Sequence, residues 1–318
     1  MTEFFSYAGT VGIQVVILFI MILVGFVISK KGLLNGDGAM QMTNTLLYIV
    51  TPSVIISSFD SMEFSLKAAS DLSIAAICAV ITHAIGFAIP FIIFRKKEKQ
   101  LKNVLGCTTA LSNCGFMGIP LIEGAIGPEG VLYASAYLVV FQAILWSHGV
   151  ATVKGSFKSI KPYKIFINAG TIGLMIGLPL YFMSIKLPFV LGESVRHIAN
   201  LNTPLAMIVT GVYMANSNIL NAFKNLKNYL ALALRHFVVP AIMMVFLLIF
   251  KFDNDVSLSI LILSGCPVAA ACTLFASQFG SRDDLECSSQ ILTLSNVLSV
   301  ISIPVIILVY GFLQNTFA

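Results

Sequence analysis

Charge is what this sequence has least of. Of its 318 residues only 10% are Asp, Glu, Lys or Arg, against roughly 25% in soluble globular domains. So little charge excludes the two soluble domains that the length alone would suggest, at roughly 150 residues each. The six cysteines fall in or beside apolar segments, and no CxxC or Cys/His spacing is present to hold a metal. They read as small buried residues. HExxH and GxSxG are missing, and no aspartate pair lies inside an apolar run, which argues against an intramembrane enzyme. GxxxxGK[ST] is also missing, so this chain alone is not expected to drive an ATP-powered pump. No cofactor is implied. The connections are too short for a soluble sensor domain.

Apolar residues fill the space that charge leaves: 58% of the chain is hydrophobic and the mean hydropathy is +0.93. Runs of about 20 apolar residues, the length that crosses a bilayer, recur throughout. The chain reads as an all-α polytopic membrane protein with ten spans, near 8–29, 38–58, 69–94, 103–126, 130–152, 165–185, 194–216, 229–250, 258–279 and 287–313. Glu3 is the only charge before the first run, and Lys30-Lys31 close it, which reads as a spanning helix with its N-terminus outside rather than as a signal peptide. With that orientation Lys30, Lys31, the cluster from Arg95 to Lys102, Lys154, Lys158, Lys161, Lys164, Lys224, Lys227 and Arg282 fall inside. Only Lys67, Lys186, Arg196 and Lys251 fall outside, and Arg235 is expected near the inner end of the eighth span. This asymmetry predicts both termini outside the cell membrane. It also explains the net charge of +5 without nucleic acid as a partner.

An internal repeat emerges at an offset of 152. Thr51-Pro52 falls on Thr203-Pro204, Leu111–Cys114 on Leu263–Cys266, and Gly25 on Gly177. Five spans per repeat is an odd number, so the second set is inverted in the membrane, the plan of many secondary transporters. The expected division is residues 1–153 and residues 154–318.

Interrupted helices at matching positions of two such halves mark a transporter's site. The stretch ALSNCGFMGIPL places Asn113, Gly115, Gly118 and Pro120 in the fourth span, and the ninth has Gly265 and Pro267. Proline removes a backbone donor and glycine relaxes the helix. If the breaks cross, half-helix N-termini would direct partial positive charge at one spot, which suits an anion such as a carboxylate. The substrate-binding candidates are therefore Asn113, Cys114, Gly115, Gly118, Pro120, Gly265, Cys266 and Pro267, with Thr51, Asn202 and Asn296 on neighbouring spans. Candidates for a coupling ion or proton are Ser112, Ser264, Glu123, His83, Gln290 and Thr293. Oxygen ligands at Ser112, Asn113 and Ser264 would suit sodium, and Glu123 or a histidine would suit a proton. Uniport needs neither. For most of these residues a purely structural role, in kinks or in hydrogen bonds between helices, is an open alternative.

NCGFMGIP, followed by GPEG and YASAYLVVFQAILW, together with CPVAAACTLFASQFGSRDDLECSSQILTLSNVLSVISIPVIIL in the second half, resembles the auxin efflux carrier family. That family includes bacterial carboxylate permease-like proteins and plant auxin exporters, and the short link at about 153–164 is closer to the bacterial branch. The resemblance implies ten helices in two inverted five-helix repeats, with spans one, two, six and seven as a scaffold and the rest as a mobile transport domain. It implies elevator-type motion and a homodimer. It makes Asn113 the crossover asparagine and Pro120 and Pro267 the crossover prolines, with Gly265 where a second polar residue could have stood. The function read from all this is secondary transport of a small organic anion. The alternatives are an anion channel or a sodium- or proton-coupled symporter of another small solute.

Overall fold

The computed structural model describes residues 2–94, 99–156, 167–217 and 219–317, together with 158 and 163. Arg95, Lys96, Lys97, Lys161 and Lys164, on which part of the predicted charge asymmetry rests, lie outside the described residues. Among the described residues every regular element is a helix. The elements in chain order are α1 (Thr2–Lys30), α2 (Gly36–Ser61), α3 (Leu66–Ile93), α4 (Lys99–Ala110), α5 (Cys114–Ala125), α6 (Pro128–Lys154) and α7 (Ala169–Phe182). They continue with α8 (Phe189–Ala199), α9 (Asn202–Asn216), α10 (Ile219–Lys224), α11 (Leu226–Phe250), α12 (Asn254–Gly265), α13 (Ala270–Phe279) and α14 (Arg282–Phe317). Helices α8 and α9 run on as one span across a short turn.

Seven of these stretches are long and apolar enough to cross a membrane: α1, α2, α3, α6, the α8–α9 span, α11 and α14. Helices α5, α7, α12 and α13 are shorter and apolar. In hydrocarbon every backbone group must find its partner within the protein, which is why apolar runs of this kind become helices. Their outward faces are apolar as well. Ile13 is 65% exposed and Met175 71%, and Ile17, Ile20, Val24 and Val27 continue the bare face of α1. A water-exposed surface would not carry so large a patch, and lipid covers it without cost.

Three prolines do not break their helices, whereas Pro267 lies in the extended chain that follows α12. Thr51-Pro52 follows a π turn at Leu46–Val50, Ile119-Pro120 one at Cys114–Gly118, and Val239-Pro240 one at Leu234–Val238. In each case the residue before proline donates its N–H five residues back: Thr51 to Leu46, Ile119 to Cys114, Val239 to Leu234. The widened turn absorbs both the missing donor and the ring's clash with the preceding turn. Pro204 lies in the first turn of α9, where its missing N–H would have had no helical partner anyway.

Glycines let helices approach closely at two crossings. At α1 and α9, a methyl added to Gly25 would overlap the Ile208 carbonyl, and one added to Gly211 would overlap the Ile22 carbonyl. At α2 and α7, Gly173 lies against Pro52 and Ile55, and Gly177 against Phe59. Small residues at such contacts let backbones approach and pack without a hydrophobic driving force.

Candidate functional site

Helix α4 ends at Ala110 and α12 at Gly265, and the residues that follow each end lie side by side. The Asn113 N–H donates to the Pro267 carbonyl at 2.7 Å, and the Ala269 N–H donates to the Leu111 carbonyl at 3.0 Å. Ser112 stands opposite Val268 as an antiparallel bridge. Pro267 has no N–H to give, and only its carbonyl is needed here. Leu111, Ser112, Asn113 and Val268 are all buried, so two interrupted chains satisfy each other in the interior, as non-helical backbone at membrane depth must.

The crossing divides the half-helix ends into two groups. On one side lie the N-termini of α5 and α13. A small cavity of about 10 Å³ adjoins them, lined by Asn113, Gly115, Phe116, Ala269, Ala270 and Ala271 from the crossing, by Leu47 and Thr51 from α2, and by Gln142 from α6. That volume suits about one water. Asn113 Nδ2 and Gln142 Oε1 have no hydrogen-bond partner although both residues are almost wholly buried. Among the described residues no backbone carbonyl accepts the N–H of Gly115, Phe116, Ala270 or Ala271. Each helix N-terminus is equivalent to roughly half a positive charge.

On the other side lie the C-termini of α4 and α12, and Arg235 closes them. Its guanidinium donates to the carbonyls of Thr109 (3.1 Å), Ala110 (3.3 Å) and Ser264. The next residue reaches the same crossing by a second route. The Val268 N–H donates to Ser295 Oγ (2.9 Å), which is 2.7 Å from His236 Nε2, while His236 Nδ1 is 2.8 Å from Ser302 Oγ. The π turn at Leu234–Val238 carries both residues, and both are 0% exposed. Replacing Ser295 with alanine leaves the Val268 N–H buried and unpaired, a cost of about 1–3 kcal/mol. A lowered unfolding midpoint of the purified protein checks this.

The sequence candidates separate into those that meet and those that do not. Asn113, Gly115 and Thr51 line the small cavity. Asn202 reaches one of its lining residues from α9, donating Nδ2 to the Gly115 carbonyl at 3.0 Å. Cys114 and Gly118 are buried on the first turn of α5, where Gly118 faces Leu263 and Cys266 Sγ. Gly265, Cys266, Pro267, Ser112 and Ser264 belong to the crossing strands and helix ends; Ser264 Oγ bonds back to Leu261. Pro120, read as a crossover proline, is not at the crossing: it is buried in the second turn of α5, just past the π turn. Glu123 is exposed and lines a separate polar cavity of about 490 Å³ with Ser57, Ser58, Arg196, Asn202 and Thr203. His83 is buried, its Nδ1 2.7 Å from the Ala79 carbonyl and its ring 5.4 Å from that of Tyr137. The polar face of α14 joins helices instead of meeting Asn113. Gln290 accepts from Asn228, Thr293 pairs with Ser217, and Asn296 bonds to its own helix at Leu292.

Sequence reasoning missed three residues at this site. Arg235 was expected near the inner end of the eighth span, whereas it and its neighbour His236 are buried at the crossing. Their one sequence signal is a charged and a titratable residue deep within an apolar run, which by default marks function. Gln142 is the single polar amide within YLVVFQAILW.

Known proteins are similar to this chain in sequence. A family model described as membrane transport protein matches residues 10–166 and 156–307. An uncharacterized transporter of Methanocaldococcus jannaschii is 24% identical over 211 residues, 63% of this chain and 68% of that protein. Another uncharacterized transporter, from Methanothermobacter thermautotrophicus, is 26% identical over 120 residues, 37% of this chain and 39% of that protein. With both family matches spanning almost the whole chain and several apolar helices able to cross a bilayer, the chain belongs to the membrane transport protein family of auxin efflux carriers and is a multi-pass membrane transporter.

Proposed function

We propose that this transporter carries a small organic anion, a carboxylate, across the cell membrane by alternating access of the elevator type. One observation carries the reading. Two half-helix N-termini and the unpartnered amide of Asn113 border one buried cavity, while Arg235 neutralises the opposite, negative helix ends. The sum at the cavity is positive without a charged side chain in it. Such a site binds a carboxylate and still lets it leave, as a carrier must.

The ten-span, inverted-repeat reading is supported by the helix partners. Helix α1 crosses α9, and α2 crosses α7. If α1 corresponds to α7 and α2 to α9, exchanging the halves turns one crossing into the other. The reciprocal bonds, Asn113 to Pro267 and Ala269 to Leu111, relate the halves at the break by an offset of 156 instead of 152. Ala269, not Gly265, then corresponds to Asn113, so the two halves supply one asparagine and one alanine.

Motion follows from volume. A cavity of about 10 Å³ is too small for a carboxylate, so loading requires its walls to part. Leu47 and Thr51 come from the scaffold helices α1, α2 and α7–α9, and the other lining residues from the moving set α3–α6 and α11–α14. The polar cavity at Glu123 and Arg196 lies along the same seam and is the approach from the outer face.

Uptake into proteoliposomes of labelled monocarboxylates, dicarboxylates and an indole acid tests this, with sodium, pH and voltage gradients imposed in turn. Saturable uptake of at least one acid is expected. Uptake of none under any gradient would remove the carboxylate assignment.

A further inference from the structure

The side of the crossing away from the small cavity has the form of a cation site. The last carbonyls of a helix lack helical partners and carry partial negative charge. Here the carbonyls of Thr109 and Ala110 from α4 and of Ser264 from α12 face one small space, the first two meeting Nη1 of Arg235 and the third Nη2. Carbonyls at half-helix C-termini are the ligands with which transporters built on interrupted helices hold sodium, and hard cations favour such oxygens. In this chain that space is occupied by a guanidinium.

Arg235 is 0% exposed, and no carboxylate balances it: among the described residues the ion pairs are Lys67 with Asp253 and Arg196 with Glu193. Its charge is permanent, since a guanidinium is not deprotonated in proteins. Its planar fork reaches two helix ends at once.

We propose that Thr109, Ala110 and Ser264 form a cation-binding cradle whose resident cation is the tethered side chain of Arg235. The negative ends of the two broken helices are thereby neutralised by the chain itself, and the carrier assembles its crossing and loads its anion without sodium. The consequence for coupling rests on the transport reading above; the cradle itself does not.

Thermal unfolding of the purified protein in detergent separates the two. For the wild type, replacing sodium chloride by choline chloride at equal ionic strength should leave the midpoint unchanged. Arg235→Ala should vacate the cradle and become responsive to small cations. Millimolar sodium, lithium or guanidinium should raise its midpoint saturably, by about 5 °C. Arg235→Lys, which keeps a tethered cation, should show no such dependence. Stabilisation of the wild type or of Arg235→Lys by sodium would overturn the proposal, and so would a folded Arg235→Ala that answers to none of these cations. If Arg235→Ala does not fold, the wild type and Arg235→Lys decide the question. Carboxylate uptake by the wild type with and without sodium is measured in parallel. Uptake that requires sodium overturns the coupling claim, whereas absence of all uptake strikes only the transport reading.

Discussion

Asn113→Ala will weaken carboxylate transport so far that uptake no longer saturates at concentrations that saturate the wild type, while the protein folds as before. Both halves of this result follow from how the residue is divided. Its backbone is structural: the N–H donates to Pro267, and the carbonyl accepts from Met117 and Gly118, each at 3.1 Å. Alanine keeps all three bonds. Its side-chain amide nitrogen is not structural, since among the described residues Nδ2 has no partner to lose. A hydrogen bond to a charged ligand contributes about 1.5–3 kcal/mol, so affinity should fall roughly 10- to 100-fold. Asn113→Asp is expected to be worse than alanine, because it sets a carboxylate where the substrate's own must sit. Initial uptake rates over a range of substrate concentrations, beside an unfolding curve for each variant, check both halves.

Gly25→Ala will destabilise the folded protein sharply for a change of one methyl group. The added carbon overlaps the Ile208 carbonyl, and the reciprocal contact of Gly211 with the Ile22 carbonyl and the Phe26 amide lies at the same crossing. Backbone cannot step aside as a side chain can, so α1 and α9 must separate along the line that joins them. Overpacking of this kind costs about 1–3 kcal/mol. Gly211→Ala should cost a similar amount, and the two should be non-additive because they open the same gap. Gly9→Ala is the control, since no atom lies within 4 Å of its added methyl and alanine favours helix by about 1 kcal/mol. Unfolding midpoints that fall for Gly25 and Gly211 but not for Gly9 bear this out. Equal midpoints in all three variants would mean that the helices do not meet there.

Much of the helical layout and the location of the break were legible in the sequence, because both are written in local composition. Apolar runs of bilayer length have few alternatives to helix, and asparagine, glycine and proline so close together inside one advertise a departure from it. Pro120 shows the limit of that signal. Proline alone does not say whether a helix breaks or widens by one residue, and here the π turn at Cys114–Gly118 takes the strain while the extended chain lies upstream, at Ser112. Gln290, Thr293 and Asn296 show another limit: their shared face was visible, but whether it met a cavity or other helices was not. Arg235 was out of reach for a third reason. Its partners Thr109 and Ser264 are 126 and 29 residues away in the chain, and their carbonyls are free only because two other helices stop beside them. The apolar run around Arg235 marks it as a candidate, but lysines and arginines near the ends of spans usually snorkel, and the local sequence does not name the carbonyls it meets.

An anion site formed by Asn113 and two half-helix ends is the central claim, and ligand-induced stabilisation of purified protein tests it without requiring transport. The wild type should gain several degrees in unfolding midpoint with a saturating carboxylate that it transports, and Asn113→Ala and Asn113→Asp should gain little or nothing. An equal gain in wild type and both variants would contradict the claim, because the acid would then be bound somewhere other than the crossing of the two broken helices.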